Sequence, residues 1–287
     1  MKAEDLTIKV GPCGQNGSID DQHLLGLLND HTVPVDFISY HPYMNMRTQT
    51  TALDKEEYLG TVYSNQYERW KTIRDLIVAS GRDPNSIEMV ASEINVSNWS
   101  SNEEPQEGQM SHAIGGVETV FTFARLGLTA SHYWIWPANA GDGTRYPNYM
   151  AYEMLRDNMG DRLLDFRTVD NTARVYTTRD SRTKRIMVWG VNFSETKTAN
   201  VRMNITRIAG TTMTRHTLRN KTGPTSLYSA NLSASQPGGP LSEVDWVTSS
   251  IAGTPEDFTL SMEPATVSLV IIEGDLQSSA DNWSLYE

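Results

Sequence analysis

The sequence predicts an α/β region followed by an all-β region, and two observations carry that prediction. Short apolar runs alternate with helical patterns from residue 1 to about 160, and from about 165 to 274 only strands and turns follow. The chain of 287 residues is long enough for two ordinary domains.

In the first region, 6–11 (LTIKVG), 35–40 (VDFISY), 88–92 (EMVAS) and 130–136 (ASHYWIW) read as buried strands. Each is short, rich in β-branched or aromatic residues, and bounded by Gly, Pro or polar residues. Helical stretches separate them. Residues 20–30 form a short one. Residues 55–80 form a long one, with Tyr63, Tyr67, Trp70 and Ile77 near helical spacing. Residues 111–127 align Ile114, Val117, Phe121 and Ala124, and 149–160 end at Gly160, a suitable C-cap. Strands that alternate with helices imply a parallel sheet. Four such units are present, against the eight of a closed barrel.

In the second region, strands are expected at 173–179, 185–193, 198–205, 212–219, 257–262 and 266–274. Turn sequences such as RDSRTK and NKTGP lie between them. Several alternate apolar and polar residues without intervening helices, the pattern of an antiparallel β-sandwich. Residues 233–240 read as a loop and the polar last dozen as a loosely held tail. The expected organisation is therefore 1–162, 163–275 and a tail at 276–287.

Bulk properties narrow the functions. The net charge of −11 opposes a general role on nucleic acid or anionic membrane and does not hinder binding of a neutral sugar. No run of 18 apolar residues exists, so no membrane span is expected. Cys13 is the only cysteine, which rules out an internal disulfide and a thiolate-built metal site. GPCG at 11–14 lacks the spacing of a phosphate loop and reads as the turn after the first strand. No cofactor is called for.

A parallel barrel carries its reactive residues at the C-terminal ends of its strands. The second strand ends in Tyr40-His41-Pro42-Tyr43, and His41 and Tyr43, two apart, share a face. The third ends in Ser92-Glu93-Ile94-Asn95, with Glu93 where the apolar run stops. The fourth ends in Trp134-Ile135-Trp136-Pro137. A glutamate can attack an anomeric carbon, and a tyrosine hydroxyl can orient it and keep it ionised. An indole gives a pyranose ring a flat apolar face, and a histidine can bind a sugar hydroxyl. Singly, each has a plainer reading: a solvated loop Glu, a packing Tyr or Trp, a structural His. Their arrival together on consecutive strand ends favours sugar chemistry.

These strand ends resemble the clan A glycoside hydrolases, most of all family 39 (β-xylosidase-like), with families 51, 79 and 86 close behind. IKVGPCG is similar to that group's fifth barrel strand, VDFISYHPY to the sixth with its H-x-Y, MVASEINVSNW to the seventh, and YWIWP to the eighth. The resemblance implies the C-terminal half of a (β/α)8 barrel, strands 5–8, followed by an antiparallel β-sandwich. It implies retaining hydrolysis of O-glycosidic bonds in plant or algal polysaccharide, with Glu93 as nucleophile. His41, Tyr43 and Trp136 would bind substrate or orient the nucleophile. The clan's acid/base Glu, which follows an Asn at the end of the fourth strand, has no counterpart here. A truncated frame is then expected, and a chain inactive alone. An intact parent would be secreted or periplasmic. The alternative function is a non-catalytic carbohydrate-binding protein with a degenerate barrel. The oligomeric state is left open, and Met89 and Ala91 are expected to face solvent or a partner in an open half-barrel.

Overall fold

The computed structural model describes residues 5–14, 21–44, 52–96, 109–133, 145–169, 171–206, 208, 212–221, 223–227 and 244–274. The chain divides into two compact units. One comprises Met1–Arg47, Thr61–Trp99 and Thr119–Trp136; the other comprises Thr48–Gly60, Ser100–Glu118 and Pro137–Glu287.

The first unit is built on a parallel sheet in sequence order: β1 (Phe37–Tyr40), β2 (Glu88–Ile94) and β3 (Ala130–Tyr133). Helices α1 (Asp21–Asn29) and α3 (Val62–Ala79) belong to this unit. Leu24 and Leu28 of α1 and Ile73 and Ile77 of α3 form one apolar cluster with Ile38, Tyr40 and Met89 of the sheet. Strand side chains alternate, so the paired residues Ile38↔Met89 and Tyr40↔Ala91 share the helix-covered face. This corrects the expectation for Met89 and Ala91. They are 3% and 0% exposed because they point at the helices, not at the opposite face.

The expected first strand is also displaced. Residues 6–9 form no strand, and Leu6 is 85% exposed. Pairing to β1 begins four residues later. Asp36 N–H donates to Val10 O, Ser39 N–H to Pro12 O, and Gly14 N–H to Ser39 O, with a single parallel bridge at Cys13↔Ser39. Pro12 has no N–H to donate, which stops a regular ladder. Gly11 is demanded by close approach: a Cβ there would lie 1.9 Å from the Phe37 carbonyl oxygen.

The long helix expected over 55–80 is two helices, α2 (Ala52–Gly60) and α3, broken at Gly60-Thr61. Glycine is the weakest helix former after proline, and Thr61 starts the next helix as its N-cap. Helix α4 spans Met110–Arg125. Helix α5 (Pro147–Asn158) opens on a proline at its first turn, whose missing N–H costs nothing there. It closes as the sequence predicted, with Gly160 at φ +79 in the left-handed region.

The second unit holds two antiparallel sheets. The larger has the order β4 (Arg162–Val169), β5 (Ala173–Asp180), β6 (Arg185–Asn192), β12 (Thr266–Glu273), β8 (Thr212–Asn220), β9 (Val244–Ser249). The smaller has the order β10 (Gly253–Thr254), β11 (Asp257–Met262), β7 (Ala199–Asn204). Val175, Ile186 and Val188 of one sheet and Val201, Phe258 and Leu260 of the other enter one apolar core. All six expected strands are present, within a residue or two at their ends. Three were not foreseen. β4 is a charged edge strand with largely exposed side chains, β9 is half-exposed, and β10 has two residues. Edge strands lack the apolar run that marks a central strand.

Candidate active site

Glu93 lies in a register shift of the parallel sheet. Ala91 pairs with Ser131 and Ile94 with Tyr133, so two residues of β2, Ser92 and Glu93, stand opposite one of β3, His132. A bulge of this kind re-aims the side chains at it. Strict alternation from Met89 and Ala91 would turn Glu93 towards the helices. Burial instead steps from Ala91 to Ile94, both of which pack with Phe123 of α4, and Ser92 and Glu93 leave that face together.

The bulge delivers Glu93 to the end of β1. Tyr43 donates its hydroxyl proton to Glu93 Oε2 at 2.7 Å. His41 Nδ1 stands 3.2 Å from the same oxygen. The two rings meet edge to face, with centroids 6.4 Å apart at 80°. The expected shared face of His41 and Tyr43 is thus present, and both side chains converge on Glu93. Among the described residues no hydrogen bond reaches Oε1. One carboxylate oxygen is anchored twice and the other has no hydrogen-bond partner among the described residues, a suitable arrangement for a nucleophile.

The electrostatics agree with the donor roles. Burial first, then the hydrogen bond to Glu93 and its negative charge, push the Tyr43 hydroxyl well above the ordinary tyrosine range. Tyr43 therefore keeps its proton at neutral pH and donates it to Glu93. A carboxylate can only accept, so the proton between His41 and Glu93 sits on Nδ1. Glu93 is partly open, with 24% of its side chain exposed, against 11% for His41.

Three further residues join the site that sequence reasoning did not assign to it. Asn95, just past β2, accepts from Val96 N–H at 2.6 Å and from the Tyr133 hydroxyl at 3.1 Å through Oδ1, and its carbonyl takes Met44 N–H at 2.9 Å. Asn95 and Tyr133 tie the ends of β2 and β3 together beside Glu93. Cys13 Sγ lies 3.5 Å from His41 Nε2 and 3.7 Å from Ser92 Oγ. A bridge to Ser39 brings it there, and nothing in the local sequence around Cys13 announces that neighbour. Trp136, with Trp134, lies outside the described residues. Among the described residues no cluster of three or more His, Cys, Asp or Glu suits a metal ion.

With the geometry in place, the fold finds counterparts. No family model matches the chain, and no curated protein matches it in sequence. Solved structures do. The α-L-arabinofuranosidase of Thermotoga maritima, seen with arabinose, superposes with a TM-score of 0.71 at 19% identity, over 95% of this chain and 59% of that one. The family 51 α-L-arabinofuranosidase of Thermotoga petrophila gives 0.70 at 19%, over 95% and 59%. A family 44 xyloglucanase of Paenibacillus polymyxa gives 0.64 at 14%, over 95% and 58%. The fold is that of part of the clan A glycoside hydrolase structures. Among them it matches family 51 structures, one of the families to which the strand ends are similar, and also family 44, which those strand ends had not suggested. The chain spans about three-fifths of the length of the neighbours it matches.

Proposed function

We propose that this chain carries the nucleophile half of a retaining glycoside hydrolase, with Glu93 as the attacking group. The observation that supports this most is the convergence of the Tyr43 hydroxyl and His41 Nδ1 on Glu93 Oε2, with no described residue bonded to Oε1. In this reading, Oε1 attacks the anomeric carbon as the glycosidic bond breaks, and a glycosyl ester forms. Water then releases the sugar with its original configuration. The two anchored contacts hold the carboxylate still while it attacks. The acid/base Glu, roughly 5–5.5 Å away in a retaining site, is assigned to the part of the neighbours' length that the chain does not span.

The architecture fits this proposal as follows. The segment Val10–Gly14 with β1, β2 and β3 stands for strands 5–8 of a (β/α)8 barrel, within residues 1–162. The two antiparallel sheets stand for a β-sandwich within 163–275, and 276–287 for a tail. The substrate class is O-glycosides of plant or algal polysaccharide. One structural neighbour is seen with arabinose and another with xyloglucan, both compatible with that class. Trp136 is proposed to line the sugar subsite.

The test uses the protein extended to the full length of its structural neighbours. Glu93→Ala should abolish turnover of an aryl glycoside, and added azide should restore it as a glycosyl azide of inverted configuration. Near-wild-type turnover in that variant removes Glu93 from the chemistry.

A further inference from the structure

We propose that Cys13 is the nucleophile of a thiol–imidazole–carboxylate relay, and that this makes it a site of covalent modification by small uncharged carbon electrophiles. The relay is read from contacts, and it holds whether or not Glu93 ever attacks a sugar. Cys13 is the only cysteine of the chain, free and exposed. Its Sγ lies 3.5 Å from His41 Nε2, and the opposite ring nitrogen, Nδ1, lies 3.2 Å from Glu93 Oε2. The Tyr43 hydroxyl holds that same carboxylate oxygen. With the proton on Nδ1, facing the carboxylate, a neutral ring turns its Nε2 lone pair towards Sγ. Nucleophile, base and the group that orients the base then follow in order, the arrangement that activates thiols and hydroxyls on unrelated folds.

The thiol is not held there by a flexible loop alone. Ser39 N–H to Pro12 O at 3.0 Å and Gly14 N–H to Ser39 O at 2.9 Å clamp the backbone on both sides of Cys13. On its other flank Ser92 Oγ lies 3.7 Å from the sulfur, and its hydroxyl also reaches the Tyr40 carbonyl oxygen at 3.5 Å. The bulge that re-aims Glu93 also places Ser92, so one irregularity in β2 supplies both.

The chemistry balances with iodoacetamide as the electrophile. Sγ attacks the methylene carbon, the carbon–sulfur bond forms, and iodide leaves with the bonding pair. The thiol proton passes to His41 Nε2 and from there to solvent. The adduct would stand against the imidazole that contacts Glu93.

The experiment follows iodoacetamide alkylation of the 287-residue chain by intact mass at neutral pH. The reference is a synthetic peptide of residues 9–15, which carries the same thiol without His41. The native chain should react roughly tenfold faster than the peptide or more, in line with a positioned general base. His41→Gln, checked for folding by circular dichroism, should fall to about the peptide rate. A native chain that alkylates no faster than the peptide overturns the proposal without any variant. Full acceleration in a folded His41→Gln chain overturns it as well. Neither outcome bears on sugar hydrolysis, which the azide experiment tests by itself.

Discussion

Tyr43 and Glu93 are fifty residues apart in sequence and 2.7 Å apart at their oxygens, with the phenol donating to Oε2. The contact unites the ends of two adjacent parallel strands. It anchors the one carboxylate in the site that sits at a register shift.

Removing that donor should reveal its worth. Hydrogen bonds to a charged group contribute about 1.5–3 kcal/mol. On the proposed function, and in the protein extended to the length of its structural neighbours, Tyr43→Phe should therefore lower kcat on an aryl glycoside by roughly 10- to 100-fold. The hydroxyl is held above its ordinary range, so on the proposed function the extended protein should not lose turnover through Tyr43 as pH rises towards 10. Unchanged kcat in Tyr43→Phe would show that the contact does not serve the reaction.

Tyr40, three residues earlier, presents the contrary case. It points to the helix-covered face, is fully buried, and its hydroxyl has no hydrogen-bond partner among the described residues. Burial pushes that hydroxyl well above the usual tyrosine range, against the opposing pull of the Arg69 charge. An unpaired buried hydroxyl costs about 1–3 kcal/mol. Tyr40→Phe should accordingly raise the melting temperature of the chain. A variant that melts earlier would mean that the hydroxyl finds a partner.

His112, in the first turn of α4, should set the acid stability of the second unit. It is fully buried, and neither ring nitrogen has a partner among the described residues. Burial, then the positive charge of Lys55, push it from 6.5 down to about 3. The unfolded chain takes up a proton at His112 below 6.5, and the folded chain does not until about 3. Its contribution is complete above 6.5 and declines as pH falls through that window, by several kcal/mol in all. Urea unfolding of wild type and His112→Phe at pH 7 and pH 4.5 measures this. The stability lost between the two pH values should shrink in the variant; an equal loss in both would exclude His112.

Much of the site was legible in the sequence. An apolar run that stops at a polar residue marks a strand end, and strand period two places His41 and Tyr43 on one face. Both inferences need only local rules, and both residues do meet Glu93. The strands of the second region were legible where both faces are buried, as in β5, β6 and β12, and where one face alternates with the other, as in β7 and β11. The edge strand β4 was not, because an exposed edge carries charges and no continuous apolar run.

Other features belong to the tertiary structure. The phase of β2 could not be read from its residues, since Met89, Ala91 and Glu93 are in alternation and yet point to different sides. The bulge at Ser92–Glu93 exists because β2 must pair with β3 while Ala91 and Ile94 both pack with Phe123. Period alone carries no record of such an insertion. Cys13 entered the site for a similar reason. Its neighbours His41 and Ser92 are 28 and 79 residues away, and only the parallel pairing at Ser39 brings them within reach of its sulfur. The sequence by itself determined which chemical groups stand at the strand ends. Long-range strand pairing decided which face they take, and which atoms meet.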